Sequence, residues 1–242
     1  MLPSSKRSGL LSSIWVFKMG QEIELKMSIG EIDVERLFLH PFIVRHTAGP
    51  VIKKHLINHY FDTPDQLLRR HAMALRIRFD GSTYVQTLKQ KGKSRDGLTI
   101  RGEWEWEVNG LNVEPKRVPS DLWPPALKDC PDRLIPRFRT DFHRTLRSLR
   151  IHPQTLPGRQ KPTRVEMSLD QGVVTTDTGH GTAGDEATIL EVEFELLEGD
   201  ADVLIEISRR LAADISLTPC DVSKAERGYR LLDALYRPPS AF

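Results

Sequence analysis

The chain has 242 residues, 39% apolar and 28% charged, with a net charge of +2. That is room for one large core or two small ones, without the global basic field that marks many nucleic-acid binders. Two cysteines, Cys130 and Cys220, exclude a disulfide framework and a thiolate metal site; both are expected to be buried thiols.

No stretch approaches the roughly 20 apolar residues that span a bilayer. Lys6 and Arg7 precede a short apolar run, Gly9–Phe17, that lacks a small-residue cleavage site. Residues 1–18 therefore read as a disordered extension, and the expected compartment is the cytoplasm. Gln21–Met27 alternates Glu22, Glu24 and Lys26 with Ile23, Leu25 and Met27, the period of a strand. Glu31–Leu39 reads as a helix stopped by Pro41, and Lys54–Asp62 as a strand. A short helix follows through Arg70, with Thr63 as its cap. Met73–Phe79 and Thr83–Lys91 form a hairpin over Asp80-Gly81, and a loop over Gly92–Gly97 leads into the strand Thr99–Val108. After a proline-rich stretch with a short helix near Asp121–Lys128, strands follow at Leu134–Leu149, Arg164–Thr176 and Ala187–Leu197. Asp177–Asp185 is a turn region. Helices at Ala201–Ala213, capped by Asp200, and Ser223–Tyr236 end the chain. About eight antiparallel strands with no linker predict one α+β domain on a closed or nearly closed barrel, with helices at its periphery.

The charges are sorted by sign along these strands. Acidic rows are Glu22/Glu24, Glu103/Glu105/Glu107 and Glu191/Glu193/Glu195; basic positions are Arg76/Arg78, Lys89/Lys91, Arg101 and Lys26. Arg164, Glu166 and Asp170 share a face on a further strand. Any one such row also suits the wet face of an antiparallel sheet. Three Glu at every second residue, however, stack like charges about 7 Å apart, and the opposite faces are apolar almost throughout, with Trp104 and Trp106 expected in the core. Helices outside a barrel would cover those faces and turn the charges inward. An interior of about eight strands holds one small ligand. A lumen with both signs suits a highly anionic ligand bound with hard cations: carboxylates select Mg²⁺ or Mn²⁺, while Arg and Lys take phosphate oxygens. The eight histidines show no ligand spacing. The cluster Arg137/Arg139/Arg144/Arg147/Arg150 lacks the interleaved aromatics of a stacking surface.

The same residues resemble the CYTH-domain family, the triphosphate tunnel metalloenzymes. The likeness runs from Gln21 to about Tyr236 and rests on an ordered series. It starts with Glu22-x-Glu24-x-Lys26, Arg76-x-Arg78 and Lys89-Gln90-Lys91-Gly92, then Arg101-x-Glu103-x-Glu105 and Thr140–Arg144. It ends with Asp170-x-Gly172, Glu191-Val192-Glu193 and Ser223–Tyr229. The sequence is most similar to bacterial inorganic triphosphatases. The resemblance implies a closed eight-stranded antiparallel tunnel, with residues 19–238 as a single domain. Arg76, Arg78, Lys89, Arg144 and Lys224 would hold the triphosphate. Glu22, Glu24, Asp170, Glu191 and Glu193 would form the metal side, joined by Glu103 and Glu105, for two Mg²⁺ or Mn²⁺ ions. Arg144 is out of phase with Arg137 and Arg139, so that strand needs a bulge or carries one inward arginine.

The implied reaction is hydrolysis of tripolyphosphate to pyrophosphate and phosphate. A carboxylate of Glu191 or Glu193 would orient the attacking water. Lys26 would help to activate it or, equally, balance Glu24 and its neighbours. The same tunnel also suits a class IV adenylyl cyclase, a thiamine triphosphatase or a non-catalytic polyphosphate- or nucleotide-binding module. The expected partner is a small triphosphate, with neither nucleic acid nor membrane; a homodimer stays open.

Overall fold

The computed structural model describes residues 19–90, 92–128, 131–155, 161–176 and 184–235. Ten strands form a single sheet: β1 (Met19–Ile29), β2 (Ile52–Asp62), β3 (Met73–Phe79), β4 (Tyr84–Gln90), β5 (Lys93–Arg95), β6 (Leu98–Val108), β7 (Ile135–Ile151), β8 (Thr163–Thr175), β9 (Glu186–Glu198) and β10 (Leu217–Pro219). Eight of them close a ring in the order β1-β9-β8-β7-β2-β3-β4-β6, every pairing antiparallel, with β6 returning to β1. Closure depends on β1. Glu24 to Ser28 pair with β9 on one edge, while the other edge takes β6 through Leu25 and then β10 from Met27.

Among the described residues six α-helices accompany the barrel: α1 (Glu31–Leu39), α2 (Pro41–His46), α3 (Leu67–Arg70), α4 (Pro125–Lys128), α5 (Asp202–Ala212) and α6 (Lys224–Leu235). Residues of α1, α2 and α5 cover one outer wall. There Val203, Leu204, Ile207 and Leu211 bury the α5 stripe against Met27, Val165, Met167 and Phe194. Around α3 and α4, Leu68, Trp123 and Leu127 bury Leu75, Ile77, Leu88 and Trp106, with Trp104 packed alongside.

The third apolar cluster departs from expectation. Phe138 and Phe142 share a face of β7 with Arg144, Val174 shares one of β8 with Asp170, and Ile189 shares one of β9 with Glu191. These inward residues pack on Tyr229 and Leu232 of α6. The lumen is therefore not charged along its whole length: at one mouth its wall is apolar and α6 caps it. Gly228 allows the approach, because a Cβ there would lie 2.2 Å from the Phe138 ring. The phase of Arg144 is also settled. The β7–β8 register is unbroken from Arg139 to Ile151, so Arg144 points inward simply because Arg139 points out. β7 does carry an irregularity, but at its start: Tyr60 pairs with Phe138 and Phe61 with Pro136, so Arg137 is the extra residue there.

Three short elements escape a periodicity argument. Pro41, which ends α1, also starts α2, where its missing N–H costs nothing and the His40 ring accepts from Phe42 N at 3.2 Å. Strands β5 and β10 are three residues each, too short to display a period. Thr63 Oγ1 does accept from Leu67 N, at 2.9 Å, but Gln66 occupies the cap position of α3. Ala201 stands at the start of α5 in place of Asp200. Cys220 is half-buried rather than buried, because it follows the edge strand β10. Residues 1–18, Lys91, Cys130, most of Asp177–Asp185 and Tyr236 lie outside the described residues.

Candidate active site

The ring encloses a cavity of about 790 Å³ lined by the charged rows. Along its wall the charges form two ionic groups, each built by a different part of the chain.

The first group is built by register within β1, β3, β4 and β6. Glu22 accepts from Lys89 Nζ at 3.1 Å and from Arg101 Nε at 2.6 Å, and Glu24 accepts from Arg101 Nη2 at 2.9 Å. Lys89 also pairs with Glu103 at 2.9 Å, and Arg78 with Glu105 at 3.0 Å. Arg76 is held more loosely, 3.9 Å from Glu103 and 4.0 Å from Glu105, and its buried Nε has no hydrogen-bond partner among the described residues. Burial pushes the Glu22 carboxyl up, but Lys89 and Arg101 outweigh it and leave the group below its ordinary range. Glu24, two residues on, goes the other way: burial and then Glu193 raise it more than Arg101 lowers it.

The second group draws on β7, β8, β9 and α6. Asp170, Glu191 and Glu193 place carboxylate oxygens within 4.8 Å of one another, the one such triad among the described residues. The Lys224 ammonium sits among them, 2.7 Å from Asp170 and 3.0 Å from Glu193, with Glu191 as its third partner. Arg144 bonds Asp170 through Nε at 2.7 Å and through Nη2 at 2.6 Å, and reaches Glu193 at 2.8 Å. Arg227 holds the other oxygen of Glu191. Burial works against every charge here. Yet Lys224 and Arg144 hold Glu193 well below the carboxylate range, and the three carboxylates raise Lys224 above the ordinary lysine value.

Lys26 lies between the groups, opposite Glu193 in the β1–β9 register and 3% exposed. Its charge contributes to lowering both Glu193 and Asp221. Of the residues proposed from the resemblance, Glu22, Glu24, Lys26, Arg76, Arg78, Lys89, Glu103, Glu105, Arg144, Glu193 and Lys224 line the cavity, and Asp170 and Glu191 sit against Lys224 behind it. Glu107 and Arg164 of the charged rows are exposed and do not line it. The seven carboxylates do not form one set, because Glu22, Glu24, Glu103 and Glu105 stand with the first group. Two partners were not in the expected set. Arg101 bridges Glu22 and Glu24, which its phase with Glu103 and Glu105 on β6 could have suggested. Arg227 lies one helical turn after Lys224, on the same face. Tyr60 also lines the cavity, from the inward face of β2.

α6 is held in place by a buried carboxylate. Asp62 accepts from Tyr229 Oη at 2.7 Å as well as from the backbone N–H groups of Thr63, Leu68 and Arg69. Arg69 stacks over the Tyr229 ring at 4.8 Å and pairs with Asp233 at 2.9 Å. The helix that delivers Lys224 is thereby tied to the end of β2 and the start of α3.

Fold and lumen together define the class: an antiparallel tunnel barrel whose bore carries both signs of charge, sorted by strand. The CYTH domain family matches residues 20–229, and the chain belongs to that family. Over 216 residues it is 31% identical to an inorganic triphosphatase of Haemophilus influenzae, covering 88% of this chain and 55% of that protein. The chain therefore spans about half the length of this relative. A solved structure from Hippeastrum, of a protein named for adenylyl cyclase and described as having a dominant triphosphatase activity, shares the fold. Its TM-score is 0.51 at 19% identity, covering 90% of this chain and 98% of that one. Among the described residues no helix is long and apolar enough to cross a membrane.

Proposed function

We propose that the chain hydrolyses inorganic triphosphate to pyrophosphate and phosphate inside the tunnel, with a divalent metal ion, residues 19–238 acting as one unit in the cytoplasm. The observation that carries this reading is the pairing, in one enclosed bore, of a convergent carboxylate triad with at least five cationic side chains.

The donor set fits the metal. Asp170, Glu191 and Glu193 offer only hard oxygens, the ligands of Mg²⁺ and Mn²⁺, and a cation already sits among them. These three would hold one ion; Glu22, Glu24, Glu103 and Glu105 form the second group, available to another. When bound, the metal would neutralise phosphate charge and lower the pKa of a bound water.

The chain's own side chains do the rest. Arg76, Arg78, Lys89, Arg144 and Lys224 bind the phosphates and stabilise the charge that develops on the leaving pyrophosphate. Arg76, whose ion pairs are the longest of the first group at 3.9 and 4.0 Å, has the least ion pairing to give up. Glu193, held ionised by Lys224 and Arg144, orients the attacking water as a hydrogen-bond acceptor. Lys26, facing it across the β1–β9 pair, balances the negative charge that builds there. Glu191 has both oxygens engaged by Lys224 and Arg227, which suits holding rather than proton transfer.

The test offers purified protein tripolyphosphate, ATP and thiamine triphosphate, each with Mg²⁺ or Mn²⁺, and follows phosphate, pyrophosphate and cyclic AMP. Tripolyphosphate is expected to turn over fastest. Cyclic AMP as the main product would replace the hydrolase reading with a cyclase, and tight binding without turnover would replace it with a binding module.

A further inference from the structure

The position of Lys224 has a consequence for how a cation reaches the triad. The three donors of its ammonium are matched to three carboxylates, Asp170, Glu191 and Glu193, of which Asp170 and Glu191 are fully buried and Glu193 keeps 14% of its side chain exposed. With Arg144 and Arg227 as the remaining partners, three negative charges meet three positive ones. A metal bound by these carboxylates would need their oxygens at about 2.1 Å, in the volume the ammonium fills. It would also add two charges to a group that is already neutral. Ammonium and metal exclude each other by space and by charge.

We propose that Lys224 is a built-in competitor for the cation site, so that metal and triphosphate enter as one complex: the metal takes the carboxylates as a phosphate takes Lys224. Each alone meets opposition. Free metal must expel an ammonium that has no anion to go to. Free triphosphate must strip that ammonium from a buried group that Arg144 and Arg227 alone leave one positive charge short, which is unfavourable. Together they exchange partners with little net change in buried charge. Lys224 suits the exchange because it is a point charge on a flexible four-carbon stem. It also stands at the first residue of α6, so it can change partners while Tyr229, Gly228 and Asp62 keep the helix in place. By linkage the two ligands then tighten each other reciprocally.

This rests on the proposed metal and triphosphate site, but its test needs no turnover. Mn²⁺ binding to metal-free protein is followed by electron paramagnetic resonance of the free ion, with and without saturating imidotriphosphate as a non-hydrolysed probe. Wild type is expected to bind Mn²⁺ weakly alone and at least tenfold more tightly with the probe. Lys224→Met should bind Mn²⁺ alone at least tenfold more tightly than wild type, and its coupling to the probe should shrink to a few-fold. Lys224→Arg, which keeps the charge, should stay near wild type. Thermal melting checks folding: metal-free Lys224→Met should melt below wild type and regain stability with Mn²⁺. Mn²⁺ binding no tighter in Lys224→Met than in wild type overturns the proposal. So does an absence of coupling in wild type, a result that does not depend on the variant folding. A protein that shows the coupling but hydrolyses nothing would remove the triphosphatase reading and leave the competition standing.

Discussion

The two ionic groups of the tunnel use the same chemistry on different foundations. In the group around Glu22 and Glu24, the cations Lys89 and Arg101 come from β4 and β6, fixed by the sheet register that closes the barrel. In the group around Asp170, Glu191 and Glu193, the central cation comes from α6, a separate element capping one mouth. A carboxylate neutralised by its own sheet is part of the wall; one neutralised by a docked helix can change partner. The contrast also separates Glu24, pushed up by burial, from Glu193, held well below the carboxylate range.

The largest effect should come from Glu193→Gln, which removes the proposed metal ligand and the proposed water-orienting group together. Its kcat for tripolyphosphate should fall by about 10³-fold, the scale for losing a preorganised charged group. Phosphate release checks this, and activity within tenfold of wild type would take Glu193 out of the site. Glu24→Gln should also abolish turnover, yet cost less stability than Glu193→Gln, since the fold already favours a neutral group at Glu24. Equal melting temperatures for the two variants would erase the distinction between the groups.

Arg101→Met tests the register-built side. It leaves Glu22 and Glu24 buried without their shared partner, at a cost of about 3 kcal/mol. Urea denaturation measures it, and a loss below about 1 kcal/mol would show that the pair is not structural.

The acid limb of stability distinguishes the groups by sign. Glu193 has a depressed folded pKa, so its contribution is present above the ordinary carboxylate value and is lost as pH falls through the folded one. Glu24 is raised, so its ionisation costs stability as pH rises from the ordinary value toward the folded one. Melting temperatures of metal-free protein between pH 3 and 7, about the carboxylate range, should flatten at the acid end in Glu193→Gln. They should rise above the carboxylate range in Glu24→Gln. Parallel curves for both variants would contradict the assigned directions. The smallest effect is expected for Tyr229→Phe, which loses one hydrogen bond to Asp62, worth about 1 kcal/mol.

Sequence patterning read the long elements well because each displays its period several times. β1, β6 and β9 carry alternate charges over most of their length, and the α5 stripe repeats at helical spacing. The eight-strand ring followed from those rows together with the family resemblance. Two things escaped for a common reason: they depend on which residues meet, not on which residues alternate. Inward residues of β7 turn from Phe138 and Phe142 to Arg144 with no change of period, so nothing along the strand announces that α6 covers one part and leaves the other charged. Likewise the acidic rows look equivalent in sequence. Only the register of β6 on β1, and the docking of α6, decide that Arg101 serves one and Lys224 the other.

The position of β1 in the ring bears on how the molecule is made. This strand leaves the ribosome before the other nine, yet one of its partners in the ring, β9, ends at residue 198. Such separations between paired segments slow folding, and chains grow at about 5–20 residues per second. β2, β3 and β4 can pair as neighbours while synthesis continues, but β1 must wait with one edge bare until β9 has emerged. A truncation before β9 would not yield a smaller barrel. It would leave an open, charged sheet with two unsatisfied edges.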